Sequence, residues 1–336
     1  MKHIIEELHD NIDYSALWNF YFGDMKTGVL DIETTGLNPA LNSFVLGCVT
    51  GECEGKLHQF LAENRGEEEE ALMEYAEYLS GLDAVVTYNG RNFDIPFIER
   101  RLGKFGRTGV SMPYDLDIYQ VVNGYSTIRK HLPNLKQKTL ESYMGFWSGR
   151  EDEISGAESA DLYYHYEKTG EPEAERKILL HNNDDVRQLR KLTAVTAKCD
   201  FHKAMFRMGF PIKGSDEESP LLCTDRIQLK GNSIVIEGSQ RVRRGQTPLE
   251  YVSYPMELMS PEGEFSAGSC SFRIRIPILR RAGLAMADIS CLGESHMAGF
   301  DIYPGCESGY LVVEDRDGPK YREINHLVKA VVRSMV

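Results

Sequence analysis

The stretch Val29-Leu-Asp-Ile-Glu-Thr-Thr-Gly-Leu37 sets two carboxylates, Asp31 and Glu33, in a run whose other members suit burial. On a strand, residues two apart share a face, so both acids point the same way. A carboxylate withdrawn from water costs several kcal/mol unless a positive group meets it. Any fold for this chain must therefore bring positive charge to that face.

Hard divalent cations take carboxylate oxygens, and Mg²⁺ uses one or two protein carboxylates together with phosphate oxygens. Two such ions roughly 3.5–4 Å apart form a clamp for in-line phosphoryl displacement. Such a clamp draws about four carboxylates from separate elements, and the chain supplies Asp31, Glu33, Asp94 and Asp185. Asp94 lies in "YNGRNFDIPF", after an Asn-Gly turn and near a helix start; His181, Asp184 and Asp185 lie in "HNNDDVRQL". Taken singly, each has a plainer reading. Asp94 also suits a first-turn carboxylate favoured by the helix dipole. Asp184 and Asp185 suit a solvated helix face, and His181 a packing histidine.

A length of 336 residues suggests about two domains. Apolar content of 42% and charged content of 26% are those of a soluble globular chain. No apolar run is long enough for a membrane helix, and the N-terminus lacks the apolar core of a signal peptide. Seven scattered cysteines with no C-x-x-C pair suit free thiols in a reduced compartment, so a cytoplasmic location is expected. The net charge of −13 argues against a nucleic-acid partner. Its distribution softens that argument. Residues 201–336 balance at 17 Lys/Arg and 17 Asp/Glu, so the whole excess lies in the first 200 residues, where carboxylates around cations would account for it.

An N-terminal arm is expected over residues 1–25. "TGVLDIE", "SFVLGCVTG" and "KLHQFLA" read as three strands with a Gly-flanked turn between the last two. In "GEEEEALMEYAEYL" the apolar residues follow a helical rhythm, with the Glu run as an acidic first turn. Strand, helix, strand and helix then alternate up to a long helix over "EPEAERKILLHNNDDVRQLRKL". The expectation is an α/β fold: a mixed sheet flanked by helices over residues 26–200. From residue 201 to 336 the texture becomes β-rich, with "YREINHLVKAVVRSMV" as a closing helix.

The three acidic motifs, in order, resemble those of the DEDD (DnaQ-like) 3′–5′ exonucleases of the ribonuclease H-like superfamily. "LDIETTGL", "TYNGRNFDIPFIERR", "LKQKTLESYMGF", "DLYYHYEKTGEP" and "LLHNNDDVRQL" are similar to segments of its YprB-like subgroup. The similarity covers about residues 29–192; the family of the C-terminal β-rich domain, residues 201–336, is unrecognised. The resemblance implies a two-metal phosphodiesterase acting on single-stranded DNA or RNA, with two Mg²⁺ or Mn²⁺ ions held by Asp31, Glu33, Asp94 and Asp185. Asp185 is preferred to Asp184 because the subgroup reads His-Asn-x-x-Asp followed by an aliphatic residue, here Val186. His181 would be the general base. It stands four residues before Asp185, the spacing of the tyrosine branch, whereas the histidine branch uses five.

By the same resemblance, the loop of Thr35 and Leu37 contacts the terminal nucleotide. Asn89 and Phe93 line the site, Phe93 either stacking on a base or packing in the core. Lys136 and Lys138 either track the phosphate backbone or form a solvated helix start. Asp117 either supports the acidic site or caps the helix after it. Arg273 and Arg275 give one strand a basic face, either a nucleic-acid platform or a solvated sheet surface. A structure-selective endonuclease using the same site, and a binding protein without turnover, are the alternatives.

Overall fold

The computed structural model describes residues 1–336 except 11, 147–150, 152, 153, 155, 215, 217, 256, 258 and 298. The chain forms two compact units, Met1–Cys199 and Asp200–Val336.

The elements of the first unit are β1 (Lys2–Glu7), α1 (Ala16–Phe22), β2 (Thr27–Thr34), β3 (Phe44–Gly51), β4 (Lys56–Leu61), α2 (Glu68–Ser80), β5 (Ala84–Thr87), α3 (Asp94–Lys104), β6 (Tyr114–Asp117), α4 (Ile118–Tyr125), α5 (Gln137–Met144), α6 (Gly156–Thr169) and α7 (Pro172–Leu192). They build a mixed sheet in the order β1-β4-β3-β2-β5-β6. β1 to β2 pair antiparallel, and β2, β5 and β6 pair parallel.

Helices cover both faces, and the period-2 alternation of β2 divides its residues between them. Leu30 and Ile32 enter a core with Phe44, Phe60, Leu72, Tyr75, Phe97 and Ile98, under α2 and α3. A second cluster packs Val45, Leu46 and Leu61 against Tyr163, Tyr166 and Ile178 of α6 and α7. Close approach of α2 explains Gly47, where a Cβ would meet the Tyr75 ring at 2.7 Å. The long helix starts with Pro172 in its first turn, where a missing N–H costs nothing.

The start of the expected arm is an edge strand instead. β1 pairs with β4 from Lys2↔Leu61 to Glu7↔Lys56. Its two isoleucines are adjacent, so it lacks the alternation by which a strand is read from sequence. Its charged residues are those of a protected edge. Lys2 Nζ reaches Glu175 Oε2 at 2.8 Å, and Glu6 accepts from Asn183 (2.9 Å) and Arg187 (3.0 Å), so the strand is tied to α7.

The second unit begins with α8 (Phe201–Met208), which the β-rich texture did not signal. Strands β7 (Pro211–Ile212), β8 (Leu221–Lys230), β9 (Ser233–Arg241), β10 (Tyr251–Ser253), β11 (Glu262–Ser266), β12 (Ser271–Arg281), β13 (Leu284–Asp288), β14 (Cys306–Glu307), β15 (Tyr310–Asp315) and β16 (Gly318–Pro319) form one antiparallel sheet. Between β13 and β14 lies the short α9 (Glu294–Met297), and α10 (Tyr321–Ser334) closes the unit with Ile324, Leu327, Val328 and Val331 buried. The arginines of β12 do not make a basic stripe. Across β8, β9, β12 and β11 the face reads Arg226, Glu237, Arg273, Glu264, with Glu262 opposite Arg275. Arg273 meets Glu237 at 3.7 Å and Arg275 meets Glu262 at 3.3 Å. This is a solvated ladder of alternating charge, worth little in stability.

Candidate metal centre

The strand alternation that sends Leu30 and Ile32 into the core turns Asp31 and Glu33 toward α7. His181 and Asp185, one helical turn apart, face them. His181 Nε2 lies 3.5 Å from Glu33 Oε1 and 3.7 Å from Asp185 Oδ2. One ligand atom from each of Glu33, His181 and Asp185 falls within 4.8 Å of the others. Glu33 and His181 are buried, while Asp185 keeps one side open.

Asp94 joins from the parallel half of the sheet. After β5 the chain turns through Asn89, which adopts a left-handed φ of 67°, a conformation asparagine tolerates. The backbone N–H of Asn89 donates to Asp117 Oδ1 at 2.9 Å. That turn starts α3, whose first residue Asp94 is buried and accepts the Ile32 N–H at 3.2 Å. The first-turn position of Asp94 is thus real, and its carboxylate still reaches the acidic strand.

The electrostatics are those of a crowd of like charges. Burial, with Asp185, Asp94 and Glu33 around it, pushes the Asp31 carboxyl well above the usual range. Burial and then Asp115 push Asp94 up to about 8. Such a set is costly without a cation, and its carboxylate oxygens are the donors that a hard divalent ion accepts.

The adjacent pair Asp184 and Asp185 divides cleanly. Asp185 faces the cluster, whereas Asp184 is buried and accepts the Glu151 N–H at 2.6 Å, so this is no solvated helix face. Asp117 caps α4 by accepting the Gln120 N–H at 3.3 Å. Phe93 is half-buried and packs on Phe97, with ring centroids 5.6 Å apart.

The loop after β2 is closed by Thr35, whose N–H donates to Ser43 O (3.0 Å) and whose hydroxyl accepts the Ser43 N–H (2.8 Å). It presents Leu37 and Leu41, 81% and 83% exposed. Arg101 anchors it from below, donating to Pro39 O at 3.0 Å and to Glu68 Oε1 at 2.6 Å, while Glu68 also accepts the Phe44 N–H. Glu68, the second glutamate of the expected acidic turn and the first residue of α2, is therefore half of a buried ion pair.

Lys136 is exposed at the start of α5, and Lys138 donates to Ile154 O at 3.0 Å. Between them Gln137 donates to the Asp185 carbonyl at 2.9 Å, which sets the start of α5 against the cluster.

Sequence reasoning missed Asn182, which donates to Asp31 Oδ2 at 2.8 Å, and Gln59 behind it. The signal was present for Asn182, inside "HNNDD", but nothing in β4 singled out Gln59.

A family model described as the RNase_H superfamily matches residues 29–197, half of the chain. The chain belongs to the RNase_H superfamily, and its first unit carries the mixed α/β architecture expected of it. An uncharacterized protein of Methanocaldococcus jannaschii is 25% identical over 192 residues, spanning 52% of this chain and 97% of that one. Among solved structures, the family B DNA polymerase of Pyrobaculum calidifontis matches 52% of this chain but only 24% of its own length, at 18% identity and a TM-score of 0.43. Brucella melitensis NrnC with bound Mg²⁺ matches at 15% identity, over 52% of this chain and 73% of that one, with a TM-score of 0.32. Exonuclease I of E. coli, in complex with a dT13 oligonucleotide, matches at 13% identity, over 63% and 54%, with a TM-score of 0.29. No helix among the described residues is long and apolar enough to cross a membrane.

Proposed function

We propose that this protein is a metal-dependent nuclease, a 3′–5′ exonuclease on single-stranded DNA or RNA of the DEDD type, in its YprB-like branch. The observation that carries the reading is the convergence of Glu33, His181 and Asp185 within 4.8 Å, beside the Asp31 and Asp94 carboxyls, both driven upward first by burial. Asp31, Glu33, Asp94 and Asp185 would hold two Mg²⁺ or Mn²⁺ ions. Bound there, divalent cations supply a water of lowered pKa and neutralise charge on the scissile phosphate.

The chain's own residues do the rest. His181 Nε2 accepts a proton from the attacking water, and Glu33, 3.5 Å away, steadies the imidazolium that results. The four-residue spacing puts His181 and Asp185 on one face of α7, so the base and the last carboxylate address the same phosphate. Thr35, Leu37, Asn89 and Phe93 form the substrate side. Leu37, the most exposed of them, lies against the terminal base, and Thr35 holds its loop. Lys136 and Lys138 flank the start of α5, with Lys136 free to follow the phosphate backbone. Seven free thiols fit a cytoplasmic setting.

Incubation of 5′-labelled single-stranded DNA and RNA with Mg²⁺ or Mn²⁺ tests this reading. A ladder shortening from the 3′ end, abolished in Asp31→Ala and Asp185→Ala, is the expected result. Internal cuts would point to an endonuclease, and a gel shift of intact substrate to a binding protein. Cleavage unchanged in both variants would refute the site.

A further inference from the structure

We infer that Asn182 and Gln59 form a positioning device that fixes the orientation of the Asp31 carboxylate for cation binding; this rests on the metal-centre reading above. Neighbouring residues of α7 serve the two acids of β2. His181 faces Glu33, and Asn182 faces Asp31. Helix and strand thus meet residue against residue, with one acid given an imidazole and the other an amide.

The amide acts at two points on one residue. Asn182 Nδ2 donates to Asp31 Oδ2 at 2.8 Å and approaches the Asp31 carbonyl at 3.4 Å. With Oδ2 held, rotation about the Asp31 Cβ–Cγ bond stops, so the direction of Oδ1 is set as well. An isolated aspartate turns freely about that bond.

The direction of the Asn182 amide is itself fixed by a chain of donors. Gln59 Nε2 donates to the Leu179 carbonyl at 2.9 Å, and the same nitrogen lies 3.5 Å from Asn182 Oδ1. A carbonyl accepts only, so Gln59 must present its nitrogen to it. Asn182 must then turn its oxygen to Gln59 and its NH₂ to Asp31. The flipped amide would set oxygen against carboxylate and NH₂ against NH₂. Both side chains are fully buried, Asn182 at 0% and Gln59 at 1% exposure, so water offers neither a substitute partner. The orientation of Asp31 is thereby traced to a backbone carbonyl of the helix that carries His181 and Asp185.

Groups behind a ligand that hold it in place typically contribute 10–100-fold to metal affinity or activity. Asn182→Leu keeps the branched shape, though not the smaller size, and removes both hydrogen-bonding groups, so it should weaken Mn²⁺ binding by about that factor. Gln59→Ala should weaken it less. In the Asn182→Leu/Gln59→Ala double variant the loss should match that of Asn182→Leu alone, because Gln59 acts through Asn182. Titration calorimetry or Mn²⁺ electron paramagnetic resonance reads the affinity without any turnover. Melting in EDTA reports the fold separately. A variant that melts lower in EDTA but binds Mn²⁺ like wild type would assign the pair a packing role and overturn the inference. Additive losses in the double variant would overturn the relay through Asn182. Wild-type protein that binds no Mn²⁺ would instead overturn the metal-centre reading beneath it.

Discussion

Asp94→Asn should stabilise the metal-free protein while abolishing its metal-dependent activity. The buried Asp94 carboxyl, pushed up to about 8 by loss of water and by Asp115, is raised far above its value in the unfolded chain. The folded state therefore binds the extra proton between about pH 4 and pH 8, and stability falls as pH rises through that window. At roughly 1.4 kcal/mol per pH unit, the proton that Asp94 must take up on folding opposes folding by on the order of 4 kcal/mol at pH 7. Asparagine keeps an oxygen for the Ile32 N–H and carries no charge, so this opposition is lifted. A folding unit near 200 residues gains roughly 2–4 °C per kcal/mol, so melting in EDTA at pH 7 should rise by at least about 5 °C. The gap to wild type should narrow as the buffer is taken down toward pH 4 and close below it, where wild-type Asp94 is protonated in the folded and the unfolded state alike. Mn²⁺ should narrow the gap at pH 7 by stabilising wild type selectively. Melting of the variant at or below wild type in EDTA, or a gap that ignores pH, would refute the reasoning.

The buried Arg101–Glu68 pair should behave oppositely. Arg101→Ala leaves Glu68 charged and enclosed, and should cost about 3–5 kcal/mol in urea unfolding, with Arg101→Met/Glu68→Gln recovering much of the loss; equal stability of single and double variants would count against it. Thiol titration of native protein should find Cys53 reacting first and Cys291 more slowly, since burial and Asp288 push the Cys291 thiol up. Cys48 and Cys223 are buried and should stay silent until urea is added; early labelling of Cys48 would contradict its position in β3.

What could be read from the sequence was whatever local spacing controls. Alternation in Val29–Thr34 separates Leu30 and Ile32 from Asp31 and Glu33, and the structure keeps that separation on the two faces of β2. A four-residue interval on a helix likewise brings His181 and Asp185 to one side. What escaped depends on partners distant in the chain. Glu68 reads as a dipole-favoured first-turn acid until Arg101, 33 positions on, is seen against it. Asp184 and Asp185 look alike, and only packing decides that one is buried while the other faces the cluster. Gln59 is 123 residues from Asn182, and no pattern within β4 announces that pairing. Arg273 and Arg275 suggested a basic face because the glutamates between them belong to other strands.

The first strand bears on what counts as a self-sufficient piece of this protein. The superfamily match begins at residue 29, yet the sheet continues to residue 2 on its far edge. Glu6 holds Asn183 and Arg187, which flank Asp185 on α7 next to Asn182, the residue that faces Asp31. A fragment cut to the matched span would leave β4 as a naked edge and slacken α7 along the turns that carry the chemistry. The recognisable motif and the physical module are different lengths of chain, and the module is the longer.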